Sequence, residues 1–406
     1  MIKLSSQCSG DSCLFQFQSG RNMKIAIFSE SYEPVVNGVA VSIATLKRLL
    51  EERGHTVCAF APKYPGHIDL DPHTYRFPSW RPPIAKDYPL AFPWSVSCKR
   101  AFANLKPDIV HTHTPFMLGN VGLRWARANG IPVVSTNHTL YAEYTHYIPL
   151  LPIAFTRKAA VSLIRWYYNQ CDAVVVPSEP IVRTLREYGV TRPIEVIATG
   201  VEPHPELGNN HRQILRAKYG LSEDAPVVVY IGRLAKEKNL KLLFESFCEI
   251  SKDIPNAKLL TIGDGPAFEE YRAYVEHLGI GNKVIFTGTR PREEIQLICE
   301  ACDVFAFPST TDTQGVVICE ALCAGLPCVA VDAGGTPQMI RNGIDGFLTQ
   351  NSRAEFSEKL KRLLLMDELR AAMSKAAIEG SARFSESVMA ERFINLYERV
   401  LNRQLV

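Results

Sequence analysis

Residues 303–335 read DVFAFPSTTDTQGVVICEALCAGLPCVAVDAGG. An apolar run (303–309) enters a polar loop, a helix-like pattern of small and apolar residues follows, and after Gly325-Leu326-Pro327 a second apolar run (327–334) begins. Two continuous rather than alternating apolar runs joined by a helix predict neighbouring parallel strands covered on both faces. The loop carries Asp312, and Glu320 follows eight residues later.

The same rhythm extends in both directions. Downstream of a polar, Pro-containing stretch (VEPHPELGNNH, 201–211) strands are predicted at 226–232, 257–263, 283–288, 303–309 and 327–334. Upstream they are predicted at 24–28, 56–62, 108–113, 132–138, 173–178 and 194–200, with helices at 39–53, 121–129 and 153–170. Strand–helix alternation on this scale gives an α/β chain of two doubly wound, Rossmann-like domains, and a length of 406 residues suits two. Residues 1–22 read as a dispensable extension, 23–200 as an N-terminal domain joined by a last helix at 386–406, and 201–385 as a C-terminal domain. Such sheets bind ligands beyond the carboxyl ends of their strands, so the site is expected in the cleft where the two domains face each other.

No run of 18 apolar residues spans a membrane, and the first 22 residues lack the apolar centre of a signal peptide, so a cytoplasmic chain is expected. The 11 cysteines sit mostly in apolar segments and read as reduced, buried side chains. Cys299-x-x-Cys302 has no histidine beside it, and Asp69 and Asp71 (HIDLDPH, 67–73) lie in a loop away from the strand ends, so no metal site is expected. The net charge is +3, unevenly spread: residues 1–200 carry 21 Lys and Arg against 14 Asp and Glu, and the remainder 24 against 28. The basic half slightly favours an anionic partner. No nucleic-acid partner is expected.

Chemistry concentrates at strand ends. In YIGRLAKEKNL (230–240) a strand runs into Gly232 and Arg233, and a helix is expected near Lys236 with Lys238 in its first turn. Two cations at a helix start are locally unfavourable unless an anion sits among them, which points to a phosphate clamp. In the opening stretch the amides of Thr313, Gln314, Gly315 and Val316 are expected to start a helix, with Gly315 admitting a ligand close to the backbone. Eight residues are about two helical turns, which places Glu320 on roughly the face of Asp312. The two carboxylates then offer acceptors to the hydroxyls of a polyol. Diphosphate on cations and amides, with carboxylates for hydroxyls, describes a nucleotide-sugar site.

GRLAKEKN (232–239), GDGP (263–266), the 307–335 stretch and GFL (346–348) resemble the donor domain of retaining family 4 glycosyltransferases of GT-B architecture. FSESYEPVVNGVAVSI (28–43), DIVHTHTPFMLG (108–119) and PVVSTNHTLYAEYTHYIP (132–149) resemble diacylglycerol glucosyltransferases and related glycolipid-forming enzymes. The likeness runs from Met23 to about Arg403. It implies that Arg233 and Lys238 hold a diphosphate, Glu320 receives ribose hydroxyls, Asp312 contacts the transferred sugar, and Gly232 and Gly263 belong to the donor pocket. It also implies that Gly38 approaches the reacting centre and that His138 lines the acceptor side. Relatives usually carry Glu at the place of Asp312, whose arm is one methylene shorter. The implied reaction moves a hexose, glucose foremost, from a UDP-sugar to a lipid such as diacylglycerol, with front-face attack and no metal or other cofactor.

A lipid acceptor needs a route to the bilayer. LLPIAFTRKAAVSLIRWYYNQ (150–170) interleaves Phe155, Trp166, Tyr167 and Tyr168 with Arg157, Lys158 and Arg165, and FPSWRPPIAKDYPLAFPW (77–94) adds two Trp with Arg81 and Lys86. Such interleaving suits peripheral contact with the anionic inner face of the plasma membrane, and equally a core helix with a cationic rim. Two other readings stay open: a soluble acceptor, or a nucleotide-sugar epimerase of similar architecture. A dinucleotide oxidoreductase is disfavoured, because the first strand–helix turn, FSESYEPVVNGVA, lacks GxGxxG.

Overall fold

The computed structural model describes residues 21–35, 37–81, 89–139, 153–202 and 211–404. Lys86, most of the N-terminal extension and most of the 201–211 stretch lie outside them. The N-terminal half contains β1 (Lys24–Phe28), α1 (Gly38–Glu52), β2 (Thr56–Pro62), β3 (Thr74–Phe77), β4 (Ser79–Trp80), β5 (Leu90–Ala91) and α2 (Val96–Leu105). It continues through β6 (Ile109–Thr112), α3 (Met117–Ala128), β7 (Val133–Thr136), α4 (Ile153–Tyr168), β8 (Ala173–Val176), α5 (Glu179–Glu187) and β9 (Ile194–Val196). The C-terminal half contains α6 (His211–Lys218), β10 (Val227–Ile231), α7 (Leu240–Asp253), β11 (Lys258–Ile262), α8 (Phe268–His277), β12 (Val284–Phe286) and α9 (Arg292–Glu300). After these come β13 (Val304–Phe307), α10 (Val316–Cys323), β14 (Cys328–Val331), β15 (Gly346–Thr349), α11 (Arg353–Leu365), α12 (Asp367–Ser381) and α13 (Glu386–Leu401).

Each half is a parallel sheet. The first is ordered β3-β2-β1-β6-β7-β8-β9, the second β12-β11-β10-β13-β14-β15. In both, chain order reverses beside the first strand, between β1 and β6 and between β10 and β13, the switch points at which doubly wound sheets open a ligand crevice. The strands are buried from end to end because helices cover both faces: β6, β7, β8, β13 and β14 expose nothing. Predicted strands overrun the observed ones at their carboxyl ends, as at 132–138 against Val133–Thr136. Just beyond the ladder the side chains answer to other elements: Asn137 donates its side-chain amide to the Tyr168 hydroxyl at 2.9 Å, and the His138 ring stacks on His113. β3 has only one fully buried residue and gives no continuous apolar signal.

The last helix crosses back. Met389, Phe393, Leu396, Tyr397 and Val400 of α13 share a core with Ile43, Leu46 and Leu50 of α1. Among the described residues no helix is long and apolar enough to cross a membrane. The nine described cysteines are free thiols, seven of them buried, and burial raises the pKa of Cys299, Cys302, Cys319 and Cys328. Among the described residues no three His, Cys, Asp or Glu side chains gather as metal ligands. Asp69 instead accepts from Arg76, and Asp71 from Thr74.

Candidate active site

The C-terminal wall of the cleft is built on glycine geometry. Gly263, at φ 134°, presses on Gly232: a Cβ there would stand 2.1 Å from the Gly232 carbonyl oxygen, so only glycine lets the ends of β10 and β11 close together. Arg233 follows Gly232, exposed and, among the described residues, without an ion-pair partner. Lys236–Lys238 forms a single 3-10 turn, Asn239 is left-handed at φ 56°, and α7 starts only at Leu240. Lys238 therefore stands before the helix and not in its first turn.

Asn239 donates to the Pro308 carbonyl at 3.0 Å and to Asn351 Oδ1 at 2.9 Å, which ties this turn to the loop after β13. The tie brings Lys238 Nζ to 2.7 Å from Asp312 Oδ1. The other carboxylate oxygen, Oδ2, is shielded from solvent without a hydrogen-bond partner. Gly315, left-handed at φ 73°, is the N-cap of α10, which begins at Val316. Asp312 thus lies outside the helix, and its eight-residue spacing from Glu320 does not put the two on one helical face. Glu320 is buried in α10, 6% exposed.

The loop between Asp312 and Gly315 is fastened to the opposite domain. Thr313 Oγ1 donates to the His138 carbonyl at 3.0 Å, and Ser178 Oγ donates to the Thr313 carbonyl at 2.6 Å. Gln314, 3% exposed, pairs with the Thr199 backbone in both directions: its Oε1 accepts the amide at 2.8 Å and its Nε2 donates to the carbonyl at 3.0 Å. The Gln314 side chain is therefore committed to the connection between domains, and only its backbone remains for a ligand. Sequence reasoning missed this role because a loop glutamine carries no mark of its partner 115 residues away.

On the N-terminal wall Asn37 caps α1, its side chain accepting from the Ala40 amide at 2.9 Å. Gly38 is the first residue of that helix, and a Cβ there would meet nothing within 4 Å, so packing does not demand glycine. His138 Nε2 lies 2.8 Å from His113 Nδ1, and the two rings stack. His111 Nε2 contacts Thr136 Oγ1 at 2.7 Å, and its Nδ1 contacts the Tyr397 hydroxyl at 2.8 Å. Burial holds all three histidines neutral: His138 falls to about 4, His111 to about 3 and His113 well below its usual value.

Glu30, just past β1, was not foreseen. It accepts the Leu118 amide at 2.6 Å at the start of α3, its Oε2 is shielded without a partner, and burial pushes its pKa up to about 7. An acidic residue directly after an apolar strand (FSES, 28–31) was the available signal.

Farther out, α4 buries Ile164, Tyr167 and Tyr168 and exposes Arg157, Lys158, Arg165, Phe155 (63%) and Trp166 (50%). Trp80 of β4 pairs across strands with Leu90 of β5, both exposed, with Phe92 and Trp94 (71%) beside them in sequence.

Residues 36–204 match the model of Glycosyltransferase Family 4, and residues 211–380 that of Glycosyl transferases group 1. The chain is 30% identical to an alpha-monoglucosyldiacylglycerol synthase of Acholeplasma laidlawii over 94% of its own length and 98% of that protein. It is 28% identical to a GDP-mannose-dependent alpha-mannosyltransferase of Corynebacterium glutamicum over 94% of its length and 90% of the relative. In fold it matches the Anabaena protein Alr3699/HepE, solved with UDP-glucose, at a TM-score of 0.74 and 20% identity, covering 93% of this chain and all of that one. With two parallel Rossmann-like sheets, both family models and a relative matched end to end, the chain belongs to the family 4 glycosyltransferases of GT-B architecture.

Proposed function

We propose that the chain is a retaining hexosyltransferase, taking glucose from UDP-glucose and delivering it to the hydroxyl of a membrane lipid such as diacylglycerol. Arg233 and Lys238 hold the diphosphate, Glu320 receives the ribose hydroxyls, and Asp312 and His138 contact the transferred sugar. The amides of the Thr313–Val316 loop, with Gly38, Gly232 and Gly263, line the donor pocket. As the bond from C1 to the phosphate oxygen breaks, the acceptor oxygen bonds to C1 on the same face and its proton passes to the departing phosphate. Charge then grows on the phosphate, where preorganised cations stabilise it most. These two cations take the role a divalent metal fills elsewhere, so turnover survives EDTA.

The observation that carries the lipid reading is the set of exposed aromatic side chains on the basic N-terminal half: Trp80, Phe92, Trp94, Phe155 and Trp166. Aromatic rings interleaved with cations suit the interface of an anionic membrane, and the enzyme is assigned to the cytoplasmic face. The Acholeplasma relative bears a glycolipid synthase's name, which agrees.

A panel of UDP-glucose, UDP-galactose, UDP-N-acetylglucosamine and GDP-mannose, each with diacylglycerol vesicles and with free sugars, tests the proposal by mass detection of products. The expected product is an α-glucosyl lipid. A mannosylated product would replace the donor assignment, for which the Corynebacterium relative is the precedent. Efficient transfer only to soluble acceptors would overturn the lipid one.

A further inference from the structure

We infer that His113 is a positioning residue that fixes the tautomer of His138, so that His138 presents an Nδ1–H donor to an oxygen of the transferred sugar. The tautomer stands on geometry alone; that a transferred sugar receives the Nδ1–H rests on the reading of the chain as a hexosyltransferase.

The geometry leaves two arrangements. His113 Nδ1 and His138 Nε2 share one hydrogen bond at 2.8 Å, and of two neutral imidazoles one must donate. If His138 donates through Nε2–H, the single ring proton of His113 sits on its own Nε2. That atom is shielded from solvent and has no partner. His111 lies against the His113 ring, centroids 4.1 Å apart, and cannot serve, because Tyr397 and Thr136 occupy both its nitrogens. The second arrangement puts the proton of His113 on Nδ1, donating to His138. The orphaned Nε2 is then a bare lone pair, and buried orphan N–H groups are rarer than buried acceptors left unsatisfied. The proton of His138 must then reside on Nδ1.

His138 is held from both sides. Its carbonyl accepts from Thr313 Oγ1, one residue from Asp312, while His113 sets its ring. With Nε2 accepting and Nδ1 protonated, the imidazole has no lone pair free to take a proton. His138 is therefore a hydrogen-bond donor toward a hydroxyl oxygen and not a general base, and the low pKa values of the pair keep it in that form at neutral pH.

The test is long-range ¹H–¹⁵N correlation NMR on the full chain labelled at histidine, which distinguishes protonated from bare ring nitrogens and needs no substrate. His138 and His113 should both be protonated at Nδ1; protonation of both at Nε2 would overturn the inference even if transfer were demonstrated. Kinetics give a second reading, since an Asn amide can donate from the place of Nδ1. His113→Asn should keep kcat within about threefold, whereas His113→Phe should lose about tenfold in kcat with UDP affinity unchanged. If Phe preserved turnover and Asn did not, His113 would be filling space rather than directing a proton. Failure of every donor in the panel above would remove the sugar from the account and leave the tautomer result standing.

Discussion

Lys238 Nζ stands 2.7 Å from Asp312 Oδ1, so a cation and a carboxylate contributed by different strand ends are partners. Their side chains are 16% and 21% exposed, which shields the pair from water without burying it. The other Asp312 oxygen, Oδ2, has no hydrogen-bond partner, and Arg233, five residues before Lys238, is exposed.

Arg233 and Lys238 should consequently respond differently to removal. Arg233→Ala removes an exposed cation that has no ion-pair partner among the described residues, and should change stability by less than about 0.5 kcal/mol while lowering kcat/KM by about 10²–10³. Lys238→Met also strands the Asp312 carboxylate and should cost about 1–3 kcal/mol, less than a fully buried pair would. Thermal melts alongside Michaelis kinetics check both, and an Arg233→Ala enzyme with more than about a third of wild-type kcat/KM counts against the clamp.

Asp312→Glu should leave an active enzyme, since it retains the charged acceptor with longer reach. Asp312→Asn should lose about tenfold or more in kcat, because a neutral acceptor forms the weaker hydrogen bond and no longer balances Lys238. Equal activity of Asp312→Asn and wild type would assign Asp312 to loop geometry alone.

Gln314→Leu leaves both the amide and the carbonyl of Thr199 buried without partners, at about 1–3 kcal/mol each. The expected outcome is a lower melting temperature and a larger radius of gyration in solution scattering, with UDP affinity, measured by calorimetry, nearly unchanged. A large loss of UDP affinity with normal stability would return Gln314 to the donor pocket.

The buried titratable groups set the pH dependence of stability. His111 and His138 titrate in the folded chain at about 3 and about 4, against about 6.5 unfolded, and His113 lies well below its usual value. Between those values the unfolded chain binds protons that the folded chain refuses, so stability present above pH ~6.5 is lost as pH falls toward 4. Glu30 acts in the opposite sense: folded at about 7 against 4.5 unfolded, it contributes most below pH 4.5 and loses that contribution as pH rises through 7. Denaturant titrations between pH 7.5 and 5 should show a net acid loss that His113→Asn lessens and Glu30→Gln steepens.

Binding to anionic vesicles should rise with anionic lipid and fall with salt. Replacing Arg157, Lys158 and Arg165 together by Gln should weaken it by up to about 3 kcal/mol, at about 1 kcal/mol per cation near the surface. Co-sedimentation at low and high salt reads this directly. Absence of wild-type binding at any salt would remove the membrane from the mechanism.

Much of the fold was open to reading because its signals are local. Continuous apolar runs such as Lys24–Phe28 and Thr56–Pro62 coincide with strands residue for residue, since a doubly covered parallel sheet demands apolar side chains on both faces. Helix starts were legible within a few residues. The half-buried edge strand β3 and the short β4–β5 pair were not, because their side chains answer to neighbours distant in sequence.

For the candidate site the chain's own chemistry pointed to cations at strand ends, a glycine that opens a helix and carboxylates beside it, while Gly38 and His138 entered only through the family resemblance and Glu30 went unseen. Partnership was decided only by the folded chain. Lys238 and Asp312 are 74 residues apart, Gln314 and Thr199 115, Tyr397 and His111 286. Sequence patterns report side-chain type and periodicity along one element. Which donor faces which acceptor depends on how two sheets and a returning helix are set against each other, and a hydrogen bond that must close to about 3 Å has no counterpart in local spacing.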